Sequence, residues 1–380
     1  MTSMVRRCVI KLGSRLLVPN GKLDLDYLRS IAQGVRALRE ADIETVLVSS
    51  GAIATGVAEL ELKDRPRSVA RKQGAAAVGQ IALMHAYRTV FAENGLEGAQ
   101  LLLTHADIED RKRFLNARHT LGSLLDLGVV PLVNENDTVS TTEIRVGDND
   151  NLAAMVASLG EADLLVLLSD IDALYTADPQ RDPTAERIPE VEGITEELEA
   201  MATDARDGPG IGGMRTKLEA TKRAGEIGIP SVIAHGREPE VVTRVARDDE
   251  RVGTRVEPPR PERLRQRKHW IGHLLKPRGV IHIDAGAARA IAESGRSLLP
   301  SGIVAVEGTF NMGDAVEIHD PDGTSIARGL AAYGARELAA IQGCRTDEIE
   351  TILGYTYRDE VVHRDDLVTV SASTKEPHHE

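Results

Sequence analysis

Short apolar runs alternate with longer segments of helical spacing along the first 250 residues. Cys8-Val9-Ile10 leads into Lys11-Leu12-Gly13-Ser14 and reads as a buried strand ending in a tight turn. Over residues 24–41, Leu25, Leu28, Ile31, Ala32, Val35 and Leu38 recur at the spacing of one helix face. Thr45-Val46-Leu47-Val48 reads as a second strand, running into Ser49-Ser50-Gly51-Ala52 and then a further helical segment. The spacing predicts helices over 69–93, with Gly79 inside, and over 111–127, 152–159 and 214–228. Strands are expected at 100–103, 129–133, 163–168 and 230–234. Strands that are apolar almost throughout, alternating with helices, predict the α/β class: an open, mostly parallel sheet with helices on both faces. Hydrophobic residues make up 42% of the chain but aromatics only 3%, so the cores must be aliphatic.

The pattern changes after residue 250. Residues 251–275 carry seven basic side chains against two acidic ones, plus Pro258, Pro259 and Pro261, and read as a linker. Beyond it the segments 280–283, 303–306, 315–318 and 325–329 are short and β-branched, punctuated by Gly302, Gly308, Gly313 and Gly323. Helices are expected at 287–293 and 335–341. The expected division is an α/β domain over 1–250, a linker over 251–275, a small β-rich domain over 276–370 and a polar tail over 371–380.

Charge and cysteine content narrow the function classes. A net charge of −13 argues against broad binding to nucleic acid or an anionic membrane. Residues 276–380 alone hold 10 basic and 17 acidic side chains. The basic run at 251–275 can touch nucleic acid or lie against an acidic neighbouring surface. Cys8 and Cys344 are far apart and match no zinc-site spacing, so a reducing cytoplasm fits better than a disulfide framework. No run of 18 apolar residues exists, and the apolar stretch after Arg6-Arg7 breaks at Lys11 and Gly13, too early for a signal peptide.

Four polar or glycine-rich segments fall at the ends of expected strands: 11–14, 49–52, 134–151 and 208–217. In the third, Asn134-Glu135-Asn136-Asp137 is followed by Gly147-Asp148-Asn149-Asp150-Asn151. As turn chemistry, this is a hairpin tip and an N-cap for the helix at 152–159. As a site, it is a polar cluster at the carboxyl ends of strands, where open α/β sheets bind ligands. In the fourth, the glycines of Gly208-Pro209-Gly210-Ile211-Gly212-Gly213 allow close backbone approach to phosphate, and Lys217 falls one turn into the following helix. It is not a P-loop, since no Lys follows directly on the last glycine, and no G-x-G-x-x-G follows the first strand. Alone it would pass for a surface loop.

Together the segments suit phosphoryl transfer, which needs cations along the path of the moving group and backbone donors on its oxygens. Lys11 and Lys217 can supply the first; Gly13, Gly51, Gly212 and Gly213 the second. Only 10 lysines stand against 36 arginines, so a lysine in each of two glycine motifs is notable. A carboxylate at Asp150 can orient both ammonium groups. His363-Arg364-Asp365-Asp366 has the look of a protein-kinase catalytic loop but lacks every companion motif, and is read as coincidence.

The order Lys-Leu-Gly-Ser, Ser-Ser-Gly-Ala-Ile-Ala, Asn-Glu-Asn-Asp, Gly-Asp-Asn-Asp-Asn and Gly-Gly-Met-Arg-Thr-Lys resembles the glutamate 5-kinase family of the amino-acid kinase superfamily. Lys72-Gln73 and the Arg-Phe-Leu-Asn-Ala-Arg of 113–118 match as well. Val306-Glu307-Gly308-Thr309-Phe310, Gly313-Asp314-Ala315-Val316 and Ile326-Ala327-Arg328-Gly329 resemble a PUA domain. The resemblance implies an amino-acid kinase fold and ATP-dependent phosphorylation of L-glutamate to L-glutamate 5-phosphate, the first step of proline synthesis. It implies Ser50, Asp137 and Asn149 as substrate-binding residues. Lys11, Ser169, Asp170, Ile211, Gly212, Gly213, Met214, Arg215, Thr216 and Lys217 would bind ATP, and Lys11, Asp150 and Lys217 would be catalytic. Magnesium is implied on the nucleotide, proline as feedback inhibitor, and a dimer or tetramer as the assembly. Position 211 departs from the family, with Ile where Thr is usual. Other members of the superfamily, such as aspartate, acetylglutamate or uridylate kinases, are the near alternatives, and the PUA-like part speaks against them. An RNA-binding or RNA-modifying protein is the alternative from another class, and the acidic charge of 276–380 counts against it.

Overall fold

The computed structural model describes residues 5–140, 148–177, 179, 182–199, 213–249, 251–259 and 277–369. The chain divides into two compact units, Met1–Pro261 and Glu262–Glu380.

The first unit is built on one eight-stranded sheet. Its strands are β1 (Arg7–Leu12), β2 (Glu44–Ser49), β3 (Gly98–Leu103), β4 (Val130–Glu135), β5 (Leu164–Ser169), β6 (Glu190–Glu192), β7 (Ser231–His235) and β8 (Thr254–Glu257). Their spatial order is β3-β4-β2-β1-β5-β7-β8-β6, with every neighbouring pair parallel except β7 and β8. The helices that cover it include α1 (Leu25–Glu40), α2 (Ala52–Glu59), α3 (Val69–Glu93), α4 (Arg111–Asp126), α5 (Asp148–Leu159) and α6 (Met214–Glu226). Asp24 caps α1 by accepting from Tyr27 N at 2.9 Å, and Asp110 caps α4 by accepting from Arg113 N at 2.9 Å.

Because strand side chains alternate between faces, each central strand feeds two cores. Cys8, Ile10 and Leu12 join Ile31, Val35, Tyr87 and Leu168 on one side. Val9, Val46, Val48, Leu165 and Leu167 join Leu152, Val156 and Leu218 on the other. The same alternation puts Lys11 on the Val9 side, toward α5 and α6. Both cores are largely aliphatic, as the composition predicts.

The expected α/β sheet, its central strands and its long helices are all present, and four details differ. β4 runs on through Asn134 and Glu135, which pair with Leu102 and Leu103 of β3 and are buried. α5 begins at Asp148 rather than 152, so the polar stretch is the first turn of the helix. The linker boundary at 251 is a correction: Thr254–Glu257 is a strand of the sheet, its Thr254 and Val256 buried and its Arg255 paired with Asp248 and Glu257. The strands Leu174–Tyr175, Arg187–Ile188 and β6, two or three residues each, are too short for periodicity to reveal. Most of the expected linker, Gly147, Ile211, Gly212 and the tail lie outside the described residues.

The second unit holds a five-stranded sheet: β9 (Gly279–Ile283), β10 (Ile303–Gly308), β11 (Ala315–His319), β12 (Ser325–Leu330) and β13 (Leu367–Thr369), in the order β10-β9-β11-β12-β13. α7 (Ala285–Ser294) and α8 (Ala335–Ile341) accompany it. Ile281, Ile283, Val316, Ile318, Phe310 and Tyr333 belong to its separate core. The four β-branched segments and both helices fall where expected. Arg364–Asp366 is a single 3-10 turn leading into β13, which the sequence pattern did not reveal.

One contact in the first unit depends wholly on glycine. A Cβ at Gly56 would lie 1.7 Å from Ala75 O, and one at Gly79 only 1.9 Å from Ala52 O. α2 and α3 therefore touch backbone to backbone, and this contact seats the Gly51-Ala52 turn at the end of β2. A Cβ at Gly74, on the same helix, would meet nothing within 4 Å. Gly74→Ala should raise stability by up to about 1 kcal/mol through helix propensity. Gly79→Ala should lower it by about 1–3 kcal/mol despite the same gain, because the helices must separate. Urea unfolding midpoints of the two variants would check the opposite signs.

Candidate active site

The described parts of the polar segments converge where the carboxyl ends of β1, β2, β4 and β5 meet the first turns of α5 and α6. Lys11 is the penultimate residue of β1, Asp150 the third residue of α5 and Lys217 the fourth of α6. Lys11 Nζ lies 2.5 Å from Asp150 Oδ1, and Lys217 Nζ 3.3 Å from Asp150 Oδ2. The side-chain exposures are 7% for Lys11, 0% for Asp150 and 2% for Lys217. The Thr216 hydroxyl lies 2.8 Å from Asp150 Oδ2 and 3.0 Å from the Gly213 carbonyl.

Burial alone would raise the pKa of Asp150. The ammonium groups of Lys11 and Lys217 and the Thr216 hydroxyl outweigh it and hold the carboxyl below the usual range. Burial pulls Lys217 below the ordinary lysine range, against the opposing pull of Asp150. Asp150 also sits where a helix N-terminus favours negative charge, whereas Lys217 sits where one disfavours positive charge. Two ammonium groups share one carboxylate, so the cluster carries a charge of +1 and is set to receive an anion.

The neighbouring residue in α5 faces a different set. Asn149 Nδ2 lies 2.7 Å from Ser49 O, 3.0 Å from Ser50 Oγ and 3.0 Å from Asn134 Oδ1. Asn134 in turn accepts from Glu135 N at 2.9 Å and donates to Gln80 Oε1 at 2.7 Å. Gly51 follows Ser50 with φ +101°, a conformation open to glycine, and caps α2. Asp137 comes two residues after β4 and is half-buried.

At the end of β5, the Ser169 hydroxyl accepts from Ile171 N at 3.1 Å. Asp170 pairs with Arg15 at 2.7 Å, which outweighs its partial burial and keeps its pKa low. Gly13 N donates to Leu168 O at 3.0 Å, and a Cβ on Gly13 would meet that oxygen at 3.2 Å. The turn after β1 thus lies directly on the end of β5.

Lys11, Asp150, Thr216 and Lys217 are therefore brought together, as are Ser50 and Asn149. Ser169 and Asp170 stand at the adjacent strand end. Met214 packs into the core, and Arg215 pairs with Glu219 along the helix surface at 3.0 Å. Sequence reasoning passed over Asn134 and Gln80. Asn134 carried a signal, because it opens the Asn-Glu-Asn-Asp motif; Gln80 carried none. Among the described residues no cluster of three or more His, Cys, Asp or Glu could hold a metal ion, and no helix is long and apolar enough to cross a membrane.

Residues 6–235 match the amino acid kinase family and residues 279–353 match the PUA domain. A protein of Trichlorobacter lovleyi named glutamate 5-kinase is 49% identical over 374 residues, covering 98% of this chain and 99% of its own. Proteins of the same name from Syntrophotalea carbinolica and Geobacter sulfurreducens are 48% and 49% identical, each covering 97% of this chain and 98% of its own. With a match across most of its first unit and relatives near half identity end to end, the chain belongs to the amino acid kinase family and carries a PUA domain after its kinase domain.

Proposed function

We propose that this protein transfers the γ-phosphoryl group of ATP to the γ-carboxylate of L-glutamate, giving L-glutamate 5-phosphate and ADP as the first step of proline synthesis. The observation that carries the reading is Asp150 held between the buried Lys11 and Lys217. The names of full-length relatives supply the substrate.

A carboxylate oxygen is a competent nucleophile at neutral pH, so the reaction needs no general base. The glutamate oxygen attacks the γ-phosphorus in line, and the bond to the β,γ-bridging oxygen breaks as ADP leaves. The protein's work is positioning and charge neutralisation. Lys11 and Lys217 oppose the charge on the moving phosphoryl and on the leaving phosphate, and Asp150 keeps both in place. Ser169, Asp170 and the segment 211–217 hold the nucleotide. Ser50, Asp137 and Asn149 hold the α-amino and α-carboxylate groups of glutamate.

Magnesium would arrive on the nucleotide phosphates, which commonly supply its oxygen ligands in kinases. When bound, it neutralises phosphate charge. Proline keeps the α-carboxylate and ammonium but lacks the γ-carboxylate, so it fits an inhibitor of the same pocket. We read the assembly as a homo-oligomer, consistent with the exposed Val78 and Ile81 of α3.

The direct test is ADP release with ATP and magnesium, comparing L-glutamate, L-aspartate, N-acetylglutamate and UMP, with hydroxylamine present to trap an acyl phosphate. Glutamate-dependent turnover with hydroxamate formation is expected; turnover only with another acceptor would overturn the substrate. Lys217→Ala should lower kcat about 10²–10³-fold with a much smaller change in the glutamate KM. Because the Lys217 pKa lies below the ordinary lysine value, raising pH strips its charge early. The alkaline limb of kcat/KM, which reports the free enzyme, should therefore fall before that of a solvated lysine, as a pH–rate profile would record. Asp150→Asn leaves two buried ammonium groups without a counter-charge and should lower unfolding stability by about 3–5 kcal/mol, measured by denaturant titration.

A further inference from the structure

Gln80 lies in the middle of α3, next to the Gly79 backbone contact, and no motif marks it. We propose that Gln80 is a positioning residue for the substrate pocket: its side-chain oxygen holds Asn134, which holds Asn149 against Ser50. The proposal rests on the reading of Asn149 as a substrate ligand.

The hydrogen bonds run through four elements. Gln80 Oε1 on α3 accepts from Asn134 Nδ2 on β4 at 2.7 Å. Asn134 Oδ1 accepts from Asn149 Nδ2 on α5 at 3.0 Å, and that nitrogen reaches Ser49 O and Ser50 Oγ at the end of β2.

Backbone groups fix the sense of the chain. Glu135 N–H can only donate, so the Asn134 atom facing it is oxygen. Ser49 O can only accept, so the Asn149 atom facing it is nitrogen. Asn134 is 2% exposed, and its nitrogen must find an acceptor on the α3 side; Gln80 Oε1 provides it. With its nitrogen committed to the protein, Asn149 keeps Oδ1 as the group that can accept from a substrate ammonium. Without Gln80 Oε1, the Asn134 amide is left with a buried unpaired N–H and turns to relieve it, withdrawing its oxygen from Asn149.

Gln80 Nε2 is buried and has no partner among the described residues. Only the oxygen of this side chain is in use, which separates two substitutions. Gln80→Leu removes the acceptor. Gln80→Glu keeps an acceptor oxygen in place and loses no bond.

The experiment measures glutamate and ATP KM values and kcat for both variants, together with exchange of the Asn134 side-chain amide protons in selectively labelled protein. Gln80→Leu should raise the glutamate KM about tenfold, the equivalent of one hydrogen bond, with ATP KM and kcat little changed. Its Asn134 amide protons should exchange faster. Gln80→Glu should keep the wild-type exchange of the Asn134 amide protons and a glutamate KM below that of Gln80→Leu. An unchanged glutamate KM in Gln80→Leu would overturn the proposal. So would a Gln80→Glu variant as impaired as Gln80→Leu, with ATP KM rising in parallel, because that is a packing defect. If the wild type shows no glutamate-dependent turnover, the functional reading falls instead, and the amide exchange alone decides whether Gln80 holds Asn134.

Discussion

Asp150 is shared between two buried ammonium groups, and the rest of the kinase domain is arranged so that this can happen. Removing three ions from water costs several kcal/mol for each. Two close attractions at an effective dielectric near 20 return about 5–7 kcal/mol each. The cluster therefore does little better than break even as a source of stability. The proposed phosphoryl transfer gives it a use other than stability. One carboxylate neutralises only half of the lysine charge, and the remaining +1 sits where water cannot screen it. The attraction that the protein leaves unsatisfied is the one a phosphoryl group can satisfy.

Holding such a cluster requires elements distant in sequence to meet within ångströms. β1 brings Lys11, and the first turns of α5 and α6 bring Asp150 and Lys217. Close backbone approach does much of the rest. Gly13 lets the turn after β1 rest on the end of β5, and Gly56 and Gly79 let α2 lie directly on α3. The glycines matter here for the side chains they lack. The Gln80–Asn134–Asn149 chain then ties α3 to the opposite side of the same site.

The first turn of α5 joins the two halves. Successive helix residues point about 100° apart. Asn149 can therefore bond β2 and β4 while Asp150 bonds the lysines. A stretch that turn chemistry alone would assign to a cap links the ends of β2 and β4 to the two lysines. Asn149 and Asp150 are tolerated at the start of a buried helix because both find partners there.

The α/β class, the central strands, the long helices and the β-rich second unit are all written in local patterns. Apolar runs reveal strands buried on both faces, and helical spacing reveals the amphipathic helices, because each records how a segment meets its own core. Lys11 and Lys217 stood out because lysine is scarce in this chain and each sits in a glycine motif, and Asp150 because a carboxylate can orient both. Tertiary structure alone settled the strand Thr254–Glu257, the early start of α5, the glycine contact between α2 and α3, and the hydrogen bond between Gln80 and Asn134. A three- or four-residue strand has no period to read, and a glycine or an amide in mid-helix looks ordinary until its neighbour from a distant segment arrives. Those features are properties of pairs of residues far apart along the chain, and no local pattern records them.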